Sequence, residues 1–313
     1  MWQRHGVIFE GVNGRAQCPV VDTNNEDFWR IYFSHRDFNG HSHTSYIDVE
    51  KGNPENILRL PEHSSLSPGT LGSVDFAGAM ATSIITLNGT LKYMFYIGWT
   101  QRLDVPYFNS TCLAVSSNGN EWNKVGPVLS PSIIDPGYSG TFYPILNQSK
   151  TQYTALYLSC FEWEETQVKD SIGISRSVDP RYNFRTATSK DGVTWQQGEV
   201  AIDLEEHEGG VSQATVWYNP MRGIYQTWYS VRDRYDFRDN PKKAYRIVYA
   251  DSYDLNTWNK SEENSLYPTG NPNDWDGIMC CYPCIVEYEG TLFMFYNGNG
   301  FGQTGMGYAT WKL

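Results

Sequence analysis

The sequence predicts an all-β fold built from repeated four-stranded units. A nine-residue phrase occurs three times, and its copies end at Trp122, Trp195 and Trp258. Each copy reads as a strand followed by a tight turn, in which Asn118-Gly119 or Asp191-Gly192 accepts a positive φ. An aromatic strand precedes each copy, as in residues 93–97. Two further units match in part, and a long-period repeat of short strands is typical of the blades of a β-propeller.

Five such units predict one five-bladed β-propeller domain over residues 1–313. The last unit stops after Trp311, where its fourth strand should begin, and residues 2–9 are similar to residues 195–202, the fourth strand of the third unit. We therefore expect the N-terminal strand to close the last blade and pair the two terminal edges. An open two-sheet sandwich is the alternative. The expected inner strands are residues 15–22, 78–86, 141–147, 212–217 and 279–287.

Composition argues against several classes of partner. A net charge of −11 argues against binding to nucleic acid or to an anionic membrane. No stretch of about 18 apolar residues predicts a membrane span. No signal peptide is visible, so we expect a cytoplasmic protein, although a mature form cut from a precursor would look the same. Six scattered cysteines do not form a disulfide framework, and no motif indicates a cofactor.

The loops after the second strands and the residues before the inner strands should meet at one mouth of the central channel. They are rich in charged, amide and aromatic side chains, which suit a carbohydrate because hydroxyls need polar partners and sugar faces stack on rings. Solvated rim loops are the alternative. The expected substrate-binding residues are Arg36, Asp37, His43, Trp99, Arg102, Tyr107, Glu162, Trp163, Arg232, Tyr282, Asn297 and Asn299.

Two of these residues, Arg36 and Arg232, follow the second strands of the first and fourth units. Either arginine could bind the carboxylate or phosphate of an acidic sugar, or pair inside its loop with the neighbouring Asp37 or Asp233. A metal site is not expected. His35, His41 and His43 lack a convincingly spaced third ligand, and the cysteines of residues 280–284 lie in a predicted buried strand.

Several segments carry a family resemblance over nearly the whole sequence, among them residues 32–37, 98–99, 228–232 and 296–300. The sequence resembles the five-bladed propellers related to glycoside hydrolases, the group of arabinanases, xylosidases and fructosidases. More narrowly, it looks like propellers encoded with bacterial surface-polysaccharide genes. The resemblance implies a glycoside hydrolase that acts on such a polysaccharide or its precursor, with one ionised and one protonated carboxyl group across the scissile bond.

The sequence departs from that pattern at the two expected catalytic positions. Cys18 stands where the arabinanase type has its base, and Gln213 lies near the position of its acid. Asp75, Glu208 and Asp276 remain as the expected acid, base and pKa-tuning residues, and loop acids that accept backbone hydrogen bonds are the alternative reading. Glu162 and Glu164 could also reach the cavity. A non-catalytic glycan-binding or assembly protein, or a sugar transferase, is the alternative function, and the sugar, linkage, stereochemistry and oligomeric state stay open.

Overall fold

The computed structural model describes residues 1–87, 89–170, 173–238 and 240–313, and within them it has twenty strands and one four-residue helix. In chain order the elements are β1 (Gln3–Phe9), β2 (Gln17–Asp22), β3 (Phe28–Arg36), β4 (Ser42–Glu50), β5 (Asn53–Arg59), β6 (Gly78–Leu87), β7 (Leu91–Thr100), β8 (Phe108–Ser116), β9 (Asn123–Leu129), β10 (Tyr138–Leu146), β11 (Tyr153–Asp170), β12 (Gly173–Ser189), β13 (Gln196–Ile202), β14 (Glu208–Asn219), β15 (Ile224–Asp233), β16 (Arg246–Ser252), β17 (Asn259–Leu266), β18 (Cys281–Tyr288), β19 (Thr291–Asn297), α1 (Asn299–Gly302) and β20 (Met306–Lys312). The expected all-β class is confirmed.

The strands pair in antiparallel groups of four that follow the order of the sequence. These groups are β2–β5, β6–β9, β10–β13 and β14–β17, together with β18–β20 completed by β1. One parallel pair joins the first two groups (Ser42 with Gly78), and another joins the third and fourth (Tyr182 with Gly210). β1 pairs with β20, so the first strand completes the last sheet, as the repeat predicted.

The first strands of the five groups contact one another in sequence. β2 contacts β6 and β18, β10 contacts β6 and β14, and β14 contacts β18. The aromatic second strands are largely buried, because neighbouring groups cover them. The β3 strand, for example, packs against Phe293 and Phe295 of the last group and against Tyr96 of the second. The core is therefore spread between the sheets rather than gathered in one place.

The repeated tryptophans supply part of that packing between groups. Trp122, before β9, packs edge-on against Tyr32 of β3 with ring centroids 5.9 Å apart. Trp195, before β13, packs in the same way against Phe95 of β7, also at 5.9 Å. Aromatic pairs of this geometry contribute about 0.5–1.5 kcal/mol beyond the area they bury. The recurrence of Trp in the sequence therefore reflects contact between neighbouring sheets.

The turn before each repeated Trp has a fixed hydrogen-bond pattern. In the third group the Ser189 hydroxyl accepts the Gly192 amide at 2.9 Å, and the Asp191 carboxylate accepts the amides of Val193 and Thr194. Gly192 has φ +74°, as the Asp-Gly pair predicted, whereas Leu255 takes the same place in the fourth group with φ +67°. The turn geometry is thus retained where the glycine is not.

Three of the inner strands carry a residue with positive φ at a matching place. Cys18, Gln213 and Tyr282 have φ of +57°, +49° and +59°, and each lies at a register shift between its strand and the next. A bulge of this kind bends the strand and redirects its side chains. Cys18 and Tyr282 are the second residues of their strands, whereas Gln213 lies in the middle of β14.

Within the described ranges, no helix has the length and apolar character needed to cross a membrane.

We predict that Gly192→Ala lowers the free energy of unfolding by about 1–2 kcal/mol, the cost of a left-handed conformation for an L-residue. A methyl group there would make only ordinary contact with the Tyr93 ring at 3.6 Å, so the effect comes from φ. The measurement is urea denaturation. Gly6→Ala in β1 is the matched control, because a Cβ at Gly6 would lie in open space and in an extended strand. Equal losses in both variants would contradict the prediction.

Candidate functional site

A cavity of about 540 Å³ lies where the inner strands begin and the second strands end, the place that the sequence indicated. All five groups of strands contribute to its wall. The lining residues are Arg15, Gln17, Arg36, Met80, Ile97, Trp99, Gln101, Pro106, Tyr107, Asn109, Tyr138, Leu158, Pro180, Tyr182, Ser212, Arg232, Phe237, Arg238, Tyr245, Tyr282 and Phe301. Among the described residues no aspartate or glutamate belongs to this lining.

Five of the expected substrate-binding residues line the cavity. They are Arg36, Trp99, Tyr107, Arg232 and Tyr282. Arg36 ends β3, and its guanidinium group lies 5.2 Å from the ring of Trp99 at the end of β7. Trp99 is held in turn by a hydrogen bond from its indole nitrogen to the Ser42 hydroxyl at 3.2 Å. The role of these residues in binding stays a prediction.

Arg232 is 1% exposed and has an unusual set of partners. Its guanidinium group donates to the carbonyl oxygen of Pro180 at 2.6 Å, to the backbone carbonyl of Asp233 at 3.0 Å and to the Tyr182 hydroxyl at 3.0 Å. The ring of Phe237 lies 3.9 Å from it. Arg232 thus binds neutral oxygens and an aromatic face, and the alternative of a pair with the Asp233 carboxylate does not occur, since that carboxylate binds Arg246.

The remaining expected binding residues lie outside the lining. The Asp37 carboxylate accepts the amides of Asn39 and His41, both at 2.9 Å, and stands 3.4 Å from His43, so it closes its own loop. Arg102 is half exposed and paired with Asp104 at 2.9 Å. These three expected residues are accounted for by contacts within their own loops.

Four others are engaged in packing or in backbone hydrogen bonds. Glu162 pairs with Arg181 at 3.3 Å, and the Trp163 ring packs against Tyr107 at 5.4 Å, just behind the cavity wall. The Asn297 side chain accepts the Cys18 amide at 3.1 Å. Asn299 accepts two backbone amides, those of residues 278 and 279, at 2.8 Å. The structure therefore does not bring these four side chains to the cavity surface.

The three carboxylates expected to catalyse are buried behind the wall, each beside a cation. Asp75 is 4% exposed and accepts from Lys124 at 2.6 Å and from the Tyr96 hydroxyl at 3.1 Å. Asp276 accepts from Arg4 at 3.0 Å and from the Tyr296 hydroxyl at 2.8 Å. The structure does not bring these carboxylates together at the cavity.

Glu208 shows a variant of the same arrangement. Its carboxylate accepts the Glu205 amide at 2.8 Å and lies 3.4 Å from Lys260. Burial, and after it the Glu208 charge, raise the pKa of Tyr229 well above its ordinary value. Glu208 is the first residue of β14 rather than a residue before it, as the sequence had suggested.

A fourth acid, Asp135, completes the pattern and was missed at the sequence level. It accepts from the Tyr157 hydroxyl at 2.9 Å and also from Ser159 and Gln197. Burial raises its pKa despite these hydrogen bonds. In four groups, then, an acid near the start of the first strand contacts a polar side chain of the fourth strand. In three of them the acid also accepts a hydrogen bond from a tyrosine of the second strand. The aligned repeats contain this signal, because an acidic residue that recurs at the same position of several units indicates a structural role.

The two departures from the arabinanase pattern are buried. Burial raises the pKa of the Cys18 thiol far above its usual range, which disfavours the reactive thiolate form. The Gln213 amide donates to the Thr82 carbonyl at 2.7 Å and lies in a second cavity of about 240 Å³ near the axis. Neither side chain offers a carboxylate to the larger cavity.

The histidine cluster of β3 and β4 is packed rather than arranged for a metal. His35 and His43 stack with ring centroids 5.6 Å apart, and burial, followed by the charge of His43, lowers the pKa of His35 to about 4. In the described part of the protein, no three His, Cys, Asp or Glu side chains are grouped so that they could hold a metal ion.

Several cavity residues were not identified from the sequence. Arg15 lies just before β2, at a place where only acidic residues had been considered. Tyr182 lies on β12 and Tyr245 just before β16, and their hydroxyl groups form a hydrogen bond with each other. Tyr182 and Tyr245 lie on or directly before third strands, and Tyr107 and Asn109 at the start of β8 show that the second group reaches the cavity in the same way.

The fold belongs to a known class. The structure of a BT0996 complex with RGII has a TM-score of 0.74 and 17% identity, with 99% of this protein and 92% of that one covered. A structure from the GH130 family of mannoside phosphorylases and hydrolases has a TM-score of 0.71 and 14% identity, covering 100% and 94%. The Bombyx mori GH32 β-fructofuranosidase BmSUC1 has a TM-score of 0.63 and 15% identity, covering 99% and 61%. The fold is therefore propeller-like, of the kind found in glycoside hydrolases.

The protein is also related to others of closer sequence. It is 30% identical over 318 residues to the uncharacterized protein Rv1502 of Mycobacterium tuberculosis strain H37Rv, with 98% of each sequence covered. It therefore belongs to the same family as Rv1502. The uncharacterized protein MT1551 of Mycobacterium tuberculosis strain CDC 1551 matches equally well, and no family model matches the sequence.

We predict that Asp75→Asn lowers the free energy of unfolding at pH 7 by about 1.5–3 kcal/mol, the range for a hydrogen bond to a charged group. Burial opposes the charge of Asp75, but hydrogen bonds from Lys124 and Ser73 outweigh it and lower the pKa of the carboxyl group. A carboxyl group whose pKa is lower in the folded state stabilises the fold at pH values above its unfolded pKa of about 4. This stabilisation is lost as the pH falls through the folded-state pKa. The difference between wild type and variant should therefore shrink below about pH 4 in urea denaturation.

The matched control is Asp104→Asn, because Asp104 pairs with Arg102 at the exposed surface and such pairs contribute little. An unchanged free energy of unfolding in Asp75→Asn would contradict a structural role for Asp75.

Proposed function

We propose that the protein is a five-bladed β-propeller that binds a carbohydrate in the cavity at the channel mouth. Five groups of four strands support the blade number. The cycle of contacts through β2, β6, β10, β14 and β18 supports a ring, and the pairing of β1 with β20 supports closure through the N-terminal strand.

The composition of the cavity wall is the observation that carries this proposal. Eight aromatic rings line it, those of Trp99, Tyr107, Tyr138, Tyr182, Phe237, Tyr245, Tyr282 and Phe301. Amide and hydroxyl groups of Gln17, Gln101, Asn109 and Ser212 lie among them. Apolar sugar faces stack on such rings while sugar hydroxyls pair with the amides. A volume of about 540 Å³ is within the usual range for a small-molecule site.

The fold shared with glycoside hydrolases and the sequence resemblance support the same class of ligand as the cavity wall does. The fold is shared with glycoside hydrolases, and the sequence resembles propellers encoded with bacterial surface-polysaccharide genes. A surface polysaccharide or its precursor is therefore the ligand we propose, with the cytoplasm as the expected compartment.

Hydrolysis by Asp75, Glu208 and Asp276 is the second candidate, favoured by the glycosidase-like fold. Glycoside hydrolysis needs two carboxyl groups that flank the scissile bond. The three candidate acids lie outside the cavity lining, and Lys124, Lys260 and Arg4 contact them. This geometry favours binding, or transfer of a sugar from an activated donor, over hydrolysis by these acids.

We predict that Trp99→Ala weakens binding to any oligosaccharide retained by the wild type at least tenfold, because the mutation removes a stacking face. The measurement is a screen of bacterial surface oligosaccharides on an array, followed by calorimetry on those that bind. Tyr253→Ala is the control, since Tyr253 is 77% exposed and outside the cavity. Absence of binding to every sugar on the array would contradict the proposal.

A second measurement separates binding from hydrolysis. Products are followed by mass spectrometry over long incubation for the wild type, Asp75→Asn and Glu208→Gln. We expect no product from the wild type, lower melting temperatures in both variants, and sugar binding retained in both. Turnover by the wild type that is lost in the variants at an unchanged melting temperature would establish the hydrolase instead.

A further inference from the structure

The charge of the cavity is opposite to that of the whole protein. The sequence carries a net charge of −11, yet four arginines line the cavity and, among the described residues, no aspartate or glutamate does so. The arginines are Arg15, Arg36, Arg232 and Arg238. A cationic pocket of this kind attracts anionic ligands even where the rest of the surface is acidic.

Two of these arginines are satisfied by the protein itself. Arg238 pairs with the Asp179 carboxylate at 2.6 Å. Arg232 has three hydrogen bonds to neutral oxygens and an aromatic ring at 3.9 Å. Neither needs a ligand to complete its contacts.

Arg15 and Arg36 are different. Arg15 donates only through Nη1, to the carbonyls of Gly300 and Phe301, both at 3.3 Å. Arg36 also donates only through Nη1, to the Gly40 carbonyl at 2.8 Å. Among the residues whose side chains the structure describes, which are 1–87, 89–165, 178–238 and 240–313, neither arginine forms an ion pair with a carboxylate. The Nε and Nη2 donors of both are left for another partner.

Both arginine side chains line the same cavity, where their like charges repel each other. Burial lowers the pKa of Arg36, and the charge of Arg15 lowers it further. Burial lowers the pKa of Arg15 as well. Like charges without a counter-ion in a partly buried site are unfavourable, and an anion between them would relieve both the repulsion and the loss of hydration.

Tyr282 lines the same cavity as both arginines. The Tyr282 hydroxyl has no hydrogen-bond partner among the described residues, whereas its backbone amide donates to the Ser230 hydroxyl at 2.7 Å. Burial raises the pKa of Tyr282 far above its usual value, so its hydroxyl is a donor at neutral pH. The bulge at Tyr282, with φ +59°, directs the ring into the cavity.

We propose that Arg15, Arg36 and Tyr282 form an oxyanion subsite that binds the carboxylate of an acidic sugar or the phosphate of a sugar phosphate. This inference rests on the proposed function, because it names the class of carbohydrate that the same cavity takes. Paired Nε and Nη2 donors on each guanidinium group suit the two oxygens of either anion. The aromatic rings, Trp99 among them, then hold the sugar ring next to the anion.

The test is calorimetry of the full-length protein at low salt with three probes: inorganic phosphate, glucuronate and methyl glucoside. We expect phosphate or glucuronate to bind, and Arg15→Gln and Arg36→Gln each to weaken that binding at least tenfold. Tyr282→Phe should weaken it severalfold. Which of the two anions binds more tightly distinguishes a phosphate from a carboxylate ligand. Arg222→Gln is the matched control, because Arg222 is exposed in the turn between β14 and β15.

Measuring the melting temperature of each variant distinguishes a loss of anion binding from a folding defect. Arg15→Gln removes a repelling charge, so its melting temperature should equal or exceed that of the wild type while anion binding is lost. Addition of phosphate or glucuronate should raise the melting temperature of the wild type and not that of the variant.

Two results would overturn the subsite: no binding of either anion to the wild type, or unchanged binding in both arginine variants. Neutral oligosaccharides that bind on the array while both anions fail would reject the subsite and leave the proposed function standing. Anions that bind at Arg15 and Arg36 while no sugar binds would reject the proposed function instead.

Discussion

The pairing of the first strand with the last is the contact on which the arrangement of the site depends. β1 and β20 are antiparallel partners, and Arg4 of β1 reaches across that sheet to the buried Asp276. The cavity is lined by residues from all five groups of strands, so its shape requires each group to hold its place relative to the others. An unpaired terminal edge would leave a row of backbone donors and acceptors without partners. Strand pairing and a buried ion pair together fix the group that carries Tyr282.

The buried acids form a structural arrangement that resembles a catalytic site. A carboxylate beside a tyrosine and a cation is a familiar arrangement in active sites, and in a single blade it would invite that interpretation. Here parts of it recur in four groups: Asp75, Asp135 and Asp276 each accept a hydrogen bond from a tyrosine, and Asp75, Glu208 and Asp276 each contact a cation. A catalytic centre needs different residues to meet at one point, whereas a repeated acid ties the first, second and fourth strands of each sheet. Recurrence of the acid in several groups therefore distinguishes a structural role from a catalytic one better than the acid's partners do.

The cavity combines aromatic surface with positive charge, and the two properties depend on each other. Arg36 lies over Trp99 and Arg232 over Phe237, so the rings provide favourable contact for charges that have lost part of their water. Backbone carbonyl groups complete the coordination of Arg232, which leaves it rigid and unavailable. Arg15 and Arg36 have fewer such contacts.

The sequence by itself determined the all-β class, the turns before each repeated Trp, the partnership of the two terminal strands and the end of the sheets where a site would lie. These features depend on local chemistry and on repetition, both of which a single sequence displays. It also indicated five of the lining residues, Arg36, Trp99, Tyr107, Arg232 and Tyr282, because they follow or begin predicted strands. Only the tertiary structure decided that the acids lie behind the wall and that Arg15 and Tyr182 belong to it. Side chains from different groups of strands meet at the cavity, and the distance and direction between them depend on bulges and sheet packing that the order of residues does not express.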